Sequence, residues 1–163
     1  MKLNLNAGWS YSTQQILNII PHLKVGNIKI LELGSGESTS KIYDYFSTLF
    51  PKVTFYSFET SEEYLCRRTD INSVLYDTVE NCILPNEKFD LILVDGPTGE
   101  VRNKWYAKIK EICKKDTIIH IDDFCHYDSF STNLDSNFEY TTLDYMDRAN
   151  TSEHCWKTVR VLL

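Results

Sequence analysis

No stretch of this chain approaches the roughly 20 consecutive apolar residues that a membrane-spanning helix needs, so no membrane partner is expected. Basic residues are also few: 17 Lys and Arg stand against 23 Asp and Glu, a formal net charge of -6. The only basic groupings of note, Arg67-Arg68 and Lys114-Lys115, are short and read as solvated helix positions. Nonspecific nucleic-acid affinity rests on Lys and Arg clusters, so a nucleic-acid partner is not expected either. Cysteine pairs in Cys-x-x-Cys spacing are missing, and the five cysteines (Cys66, Cys82, Cys113, Cys125, Cys155) are odd in number. Free thiols in a reducing compartment are the simplest account, and with no signal-like apolar region in the first six residues the expected location is cytoplasmic. Repeats, low-complexity tracts and Pro/Gly/Ser-rich linkers are absent, which argues for one domain over residues 1–163.

What is present is an alternation of short apolar runs with helix-like segments. Hydrophobic residues make up 42% of the chain and charged residues 25%, an ordinary globular balance. Strands are expected at 28–33, 53–58, 73–76, 89–94 and 117–121. Helices are expected from Ser12 or Thr13 to near Pro21, and at about 38–50, 61–69 and 101–114. The last third changes character: 138–145 and 156–163 read as two strands joined by the polar loop 147–154. The fold class is therefore α/β, a Rossmann-like, mostly parallel seven-stranded sheet with a C-terminal antiparallel hairpin and helices on both faces. Segment 125–137 reads as a loop over the site or as part of a homodimer interface.

Four strands end at an acid: Glu32, Glu59, Asp95 and Asp122, the last followed by Asp123. In open α/β sheets ligands lie outside the carboxyl ends of the strands, so these acids converge on one site. The first strand runs Ile28-Lys29-Ile30-Leu31-Glu32-Leu33 into Gly34-Ser35-Gly36. Gly34 is suited to backbone angles that a Cβ forbids, and Gly36 to close approach of a ligand. Ser38 and Thr39 stand where the next helix would be capped. A dinucleotide-binding Gly-x-Gly-x-x-Gly would need a small third residue, but Thr39 occupies that place and Glu37 would repel a pyrophosphate.

Glu32-Leu33-Gly34-Ser35-Gly36, Glu59 and Phe89-Asp90-Leu91-Ile92-Leu93-Val94-Asp95, with the terminal hairpin, resemble the class I S-adenosylmethionine-dependent methyltransferases over nearly the full length. The resemblance implies S-adenosylmethionine as cofactor. It implies that the glycine loop packs on the cofactor's amino-acid portion, that Glu32 helps hold the ammonium, and that Glu59 accepts from the ribose hydroxyls. The cofactor-binding set is then Glu32, Gly34, Ser35, Gly36, Ser38, Thr39, Glu59, Thr60, Asp77 and Asp95, with Asp77 and Thr78 placed after the third strand toward adenine. Trp9 and Tyr11 stand where they would cover cofactor or substrate.

Asp95 with Asp122-Asp123 also resembles the Mg²⁺ site of the catechol O-methyltransferase group, which implies that these three acids bind Mg²⁺ or another divalent ion. Hard oxygen donors suit that ion. Asp123 stands where that group has Asn, and its basic lysine has no counterpart after Asp95, where Gly96, Pro97 and Thr98 follow. As simple turn formers, the same acids would need no ion. Val94-Asp95-Gly96-Pro97-Thr98-Gly99 is similar to the glucuronoxylan methyltransferases, which act on a sugar hydroxyl. Asp95, His126 and His120 are the catalytic candidates: either histidine could serve as base, though His120, inside a strand, reads equally as a packed core residue. Cys125-His126 and His154-Cys155 do not have the spacing of a zinc site. The expected activity is methyl transfer to an oxygen of a small molecule or sugar. The rivals are a non-catalytic S-adenosylmethionine-binding partner of another enzyme and a nicotinamide-dependent oxidoreductase.

Overall fold

The computed structural model describes residues 2–5, 11–147 and 155–162. Its sheet contains β1 (Ile28–Leu33), β2 (Val53–Glu59), β3 (Asn72–Leu75), β4 (Leu91–Val94), β5 (Ile118–Asp122), β6 (Tyr140–Met146) and β7 (Trp156–Val161). The spatial order is β3-β2-β1-β4-β5-β7-β6. The first five strands run parallel, and β7 inserts antiparallel between β5 and β6. This is the architecture expected from the sequence, including the closing hairpin. Arg148–His154, most of the expected connecting loop, lies outside the described residues, as does Trp9.

The central strands are apolar on both faces because helices cover both. Ile28, Ile30, Leu91, Leu93 and Ile118 pack beneath α1 (Thr13–Ile19) and α2 (Glu37–Leu49), joined by Ile16, Ile19, Ile42 and Phe46. The alternate residues Leu31, Leu33, Ile92, Val94, Ile119 and Ile121 face α3 (Trp105–Lys110) and α4 (Asp128–Asn137). Trp105 and Tyr106 are wholly buried there, as core residues. α1 begins with a reciprocal cap: Ser12 Oγ accepts from the Gln15 N–H, and Gln15 Oε1 accepts from the Ser12 N–H.

Three local expectations are corrected. No helix forms at 61–69: Tyr64 N–H closes a turn on the Ser61 carbonyl, and the Cys66 N–H is drawn to Ser35 Oγ of the glycine loop at 3.0 Å. The expected helix 101–114 is a 3₁₀ segment, Gly99–Lys104, followed by the six-residue α3. Segment 125–137, expected as a loop, is mostly α4, anchored by buried Phe130 and Leu134.

The cysteines give a fourth correction. Cys125 and Cys155 form a disulfide. Antiparallel pairing of Asp122 with Trp156 brings together a residue three positions after β5 and one just before β7. Thirty residues of sequence separation concealed this. Cys66, Cys82 and Cys113 are free and buried. The thiol argument for a cytoplasmic location therefore loses its premise. Among the described residues no helix is long and apolar enough to cross a membrane.

Candidate active site

The carboxyl ends of β1 and β4 meet through two glycines. Gly34 has φ +106°, and a Cβ on it would lie 2.5 Å from the Gly96 nitrogen. Gly96 reciprocates: its own Cβ would lie 2.7 Å from the Gly34 Cα. Gly34 therefore serves loop-to-loop packing as well as conformation. Gly36 has open space where a Cβ would stand, so close approach from outside is free at that point.

The helix after this loop is capped differently from expectation. Gly36 is the N-cap and α2 starts at Glu37, so Ser38 and Thr39 lie inside its first turn. Thr39 Oγ1 accepts the Gly36 N–H at 2.9 Å and donates to Glu32 Oε2 at 2.8 Å. Thr39 thus ties the loop to β1 instead of merely crowding it. Ser57 Oγ, from the neighbouring β2, donates to the same Glu32 oxygen at 2.5 Å. Glu32 Oε1 is buried with no partner. Burial raises the Glu32 carboxyl to a pKa of about 7, opposed by the two hydroxyl bonds and aided by nearby Glu59. A buried carboxylate oxygen lacking a donor is a place where a cationic group would be welcome.

Glu59, at the end of β2, receives the Thr60 N–H at 2.7 Å, the Ser61 N–H at 2.9 Å and the Thr60 hydroxyl at 3.1 Å, all on Oε1. Its Oε2 accepts from none of the described residues. Thr60 is thus engaged with Glu59. Asp77 follows β3 as expected, but both its oxygens close a turn, on the Thr78 N–H and the Asn81 amide.

Asp95, Asp122 and Asp123 do come together: one oxygen from each lies within 4.8 Å of the others. Asp123 reaches this position from a left-handed backbone, φ 56° and ψ 24°, a conformation that Asn and Asp tolerate better than other side chains. Burial and the neighbouring Asp122 hold the Asp95 carboxyl well above the usual range, and burial with Asp123 raises Asp122. Gln15 Nε2 donates to Asp122 Oδ1 at 2.5 Å.

Arg102, a residue not singled out in the sequence, lies among these acids with its side chain 5% exposed. Its guanidinium donates to the carbonyls of Pro97 (3.2 Å), Asp122 (2.8 Å) and Asp95. The carboxylates Asp95 and Asp123 stand farther off, each 3.7 Å from a guanidinium nitrogen. Arg102 thus sets one positive charge among the three acids while donating to three backbone carbonyls. Carboxylate oxygens remain for an ion, and the donor set fits a hard divalent cation.

The two histidines separate clearly. His120 is fully buried under Tyr11, with ring centroids 5.6 Å apart, and its Nδ1 lies 2.8 Å from Thr158 Oγ1. Burial depresses its pKa to about 3, so its placement is that of a packed core histidine and not of an accessible base. His126 lies in the 3₁₀ segment after β5, its Nδ1 3.4 Å from Asp123 Oδ1 and its Nε2 buried without a partner. Tyr11 is also buried, its hydroxyl unpartnered and its ionisation suppressed by burial and by Asp95, Glu32 and Asp122.

No protein-family model matches the chain, and no curated protein matches it in sequence. Solved structures do match. A precorrin-6y C5,15-methyltransferase from Geobacter metallireducens superposes with TM-score 0.68 at 11% identity, covering 96% of this chain and 92% of that one. A putative rRNA-methylase from Clostridium thermocellum gives 0.66 at 10%, covering 92% and 94%. The N-methyltransferase NodS from Bradyrhizobium japonicum, in complex with S-adenosyl-L-homocysteine, gives 0.61 at 12%, covering 91% and 84%. At these identities the likeness is one of fold, and the chain has the class I S-adenosylmethionine-dependent methyltransferase fold.

Proposed function

We propose that this protein is an S-adenosylmethionine-dependent methyltransferase acting on a hydroxyl of a small molecule or sugar. The observation that carries the reading is the unpartnered Oε1 of buried Glu32 beside the open face of Gly36, with Glu59 on the next strand. A cationic amino-acid portion satisfies Glu32, and ribose hydroxyls donate to the free oxygen of Glu59. Gly34, Ser35, Gly36, Ser38 and Thr39 shape the loop between them. Bound S-adenosylmethionine supplies an electrophilic methyl group on a sulfonium, and the protein's part is positioning and electrostatics. His126, with Nδ1 3.4 Å from Asp123 Oδ1, is the group to take the acceptor's proton on Nε2, a nitrogen that is buried in the free protein and that the acceptor must reach. Asp95, Asp122 and Asp123 would hold a divalent ion, which would lower the pKa of a ligated hydroxyl.

The acidic net charge supports a small acceptor over nucleic acid. The fold does not discriminate: the structures it resembles include proteins named as a putative rRNA-methylase, an N-methyltransferase and a C5,15-methyltransferase. The test is transfer of a labelled methyl group from S-adenosylmethionine to a panel of catechols and sugar nucleotides, with and without EDTA. Turnover abolished by EDTA and restored by Mg²⁺ is expected. Turnover indifferent to EDTA removes the metal from the account. Cofactor binding without turnover on either class favours the non-catalytic partner instead.

A further inference from the structure

A cavity of about 500 Å³ opens between α4 and the paired strands β6 and β7. Phe124 and Cys125, which directly follow Asp123, form part of its wall, with Tyr127, Ser131, Tyr145 and Lys157. Its position follows from the register. Ile121, Lys157 and Tyr145 are paired across three strands, so their side chains share the face that α4 covers, one step from the carboxyl end of β5.

Lys157 is the unusual member. Its Nζ lies 4.8 Å from the Phe124 ring centroid and 4.9 Å from that of Tyr140, and donates to the Tyr140 hydroxyl at 2.9 Å. Among the described residues no carboxylate forms a salt bridge with it. Two rings and the Tyr140 hydroxyl, which itself donates to Asp135 Oδ1, surround the ammonium without a direct ion pair. Partial burial lowers its pKa, opposed by Asp135, whose carboxylate accepts from the same Tyr140 hydroxyl. Two acids also line the cavity, Asp128 and Asp147. Asp128 is exposed at the first turn of α4, where water and the helix N-terminus already favour its charge.

We infer that this cavity is the acceptor site and that it selects an acceptor carrying an anionic group, which Lys157 binds while Phe124, Tyr127 and Tyr145 hold the acceptor's body. The inference rests on the methyltransferase reading for its word "acceptor", but its anion preference is measured separately. A carboxylate or phosphate at Lys157 fixes one end of the molecule. The apolar walls exclude water along it, and a hydroxyl at the other end is presented toward Asp123 and His126.

The probes are 3,4-dihydroxybenzoate and its uncharged amide, titrated by calorimetry and by NMR into the intact protein. The benzoate is expected to bind at millimolar strength or better, about tenfold tighter than the amide. Lys157→Gln should remove that difference and Lys157→Arg should keep most of it. Thermal unfolding of both variants verifies that they are folded. Equal affinities for the two probes in the wild type, an unchanged preference in Lys157→Gln, or no binding of either probe at millimolar concentration would each overturn the inference. S-adenosylhomocysteine is titrated into the same samples. If it fails to bind while the anion preference holds, the proposed activity fails and the anion site stands. If it binds normally while the preference is missing, only the anion site fails.

Discussion

Replacing Arg102 with methionine is expected to cost about 3–5 kcal/mol of folding stability at pH 8, the range for removing one partner from a buried charge cluster. The cause is twofold. The carbonyls of Asp95, Pro97 and Asp122 lose their shared donor. Asp95, Asp122 and Asp123 are left within 4.8 Å of one another with no cation beside them. The second part depends on ionisation. Asp95 and Asp122 already have raised pKa values, so the penalty should shrink as pH falls and those carboxyls take up protons. Arg102→Lys retains the charge but not the planar fork and should recover part of the loss. Urea unfolding at pH 8 and pH 5 measures both terms. A cost below about 1 kcal/mol at pH 8, of the size found for surface ion pairs, would mean that the cluster does not depend on this residue.

The second large effect belongs to Glu32. Its folded-state pKa of about 7 stands above the ordinary value of 4.5, so between those limits the folded protein binds more protons than the unfolded chain. Stability must then fall as pH rises from about 4.5 to 7, by roughly 3 kcal/mol in total, and level off above. Asp95 and Asp122, raised in the same direction, add to the slope, so the Glu32 share is read from the difference between wild type and Glu32→Gln. Glutamine keeps an acceptor for Thr39 and Ser57, carries no charge, and places an NH₂ where Oε1 now lacks a partner. Its stability profile should lack the Glu32 share, so the variant gains on the wild type as pH rises. Parallel profiles for the two proteins would contradict this account. A cationic ligand that pairs with ionised Glu32 should bind more tightly as pH rises through 7, the opposite sign from the free protein's stability.

These two residues mark where the sequence was and was not readable. Glu32 was legible because a β-branched and leucine run ending at Glu-Leu-Gly-Ser-Gly places an acid at the end of a buried strand, and strand position implies convergence. The same logic found Glu59, Asp95 and Asp122, and the closing hairpin was visible as a break in the alternation. Arg102 was not legible. It lies in a segment read as part of a long helix, and its burial depends on a 3₁₀ turn that aims it at carbonyls from two other strand ends. Lys157 was not singled out either, because the rings of Phe124 and Tyr140 reach it only through tertiary packing. The Cys125–Cys155 bond is likewise a product of β5–β7 register. Ser12 or Thr13 was readable as a helix start, yet nothing local announces that the Gln15 amide reaches Asp122. His120 and His126 differ for a related reason: one falls under α1 and the other escapes into a turn.

If the protein uses S-adenosylmethionine as proposed, the cofactor binds at the carboxyl ends of β1 and β2. The most direct measurement is calorimetric titration of the intact protein with S-adenosylmethionine, repeated with Glu59→Ala. Saturable one-to-one binding, weakened about tenfold or more when the carboxylate proposed to receive the ribose hydroxyls is removed, is the expected result. Absence of binding, or equal affinity in wild type and Glu59→Ala, would contradict it.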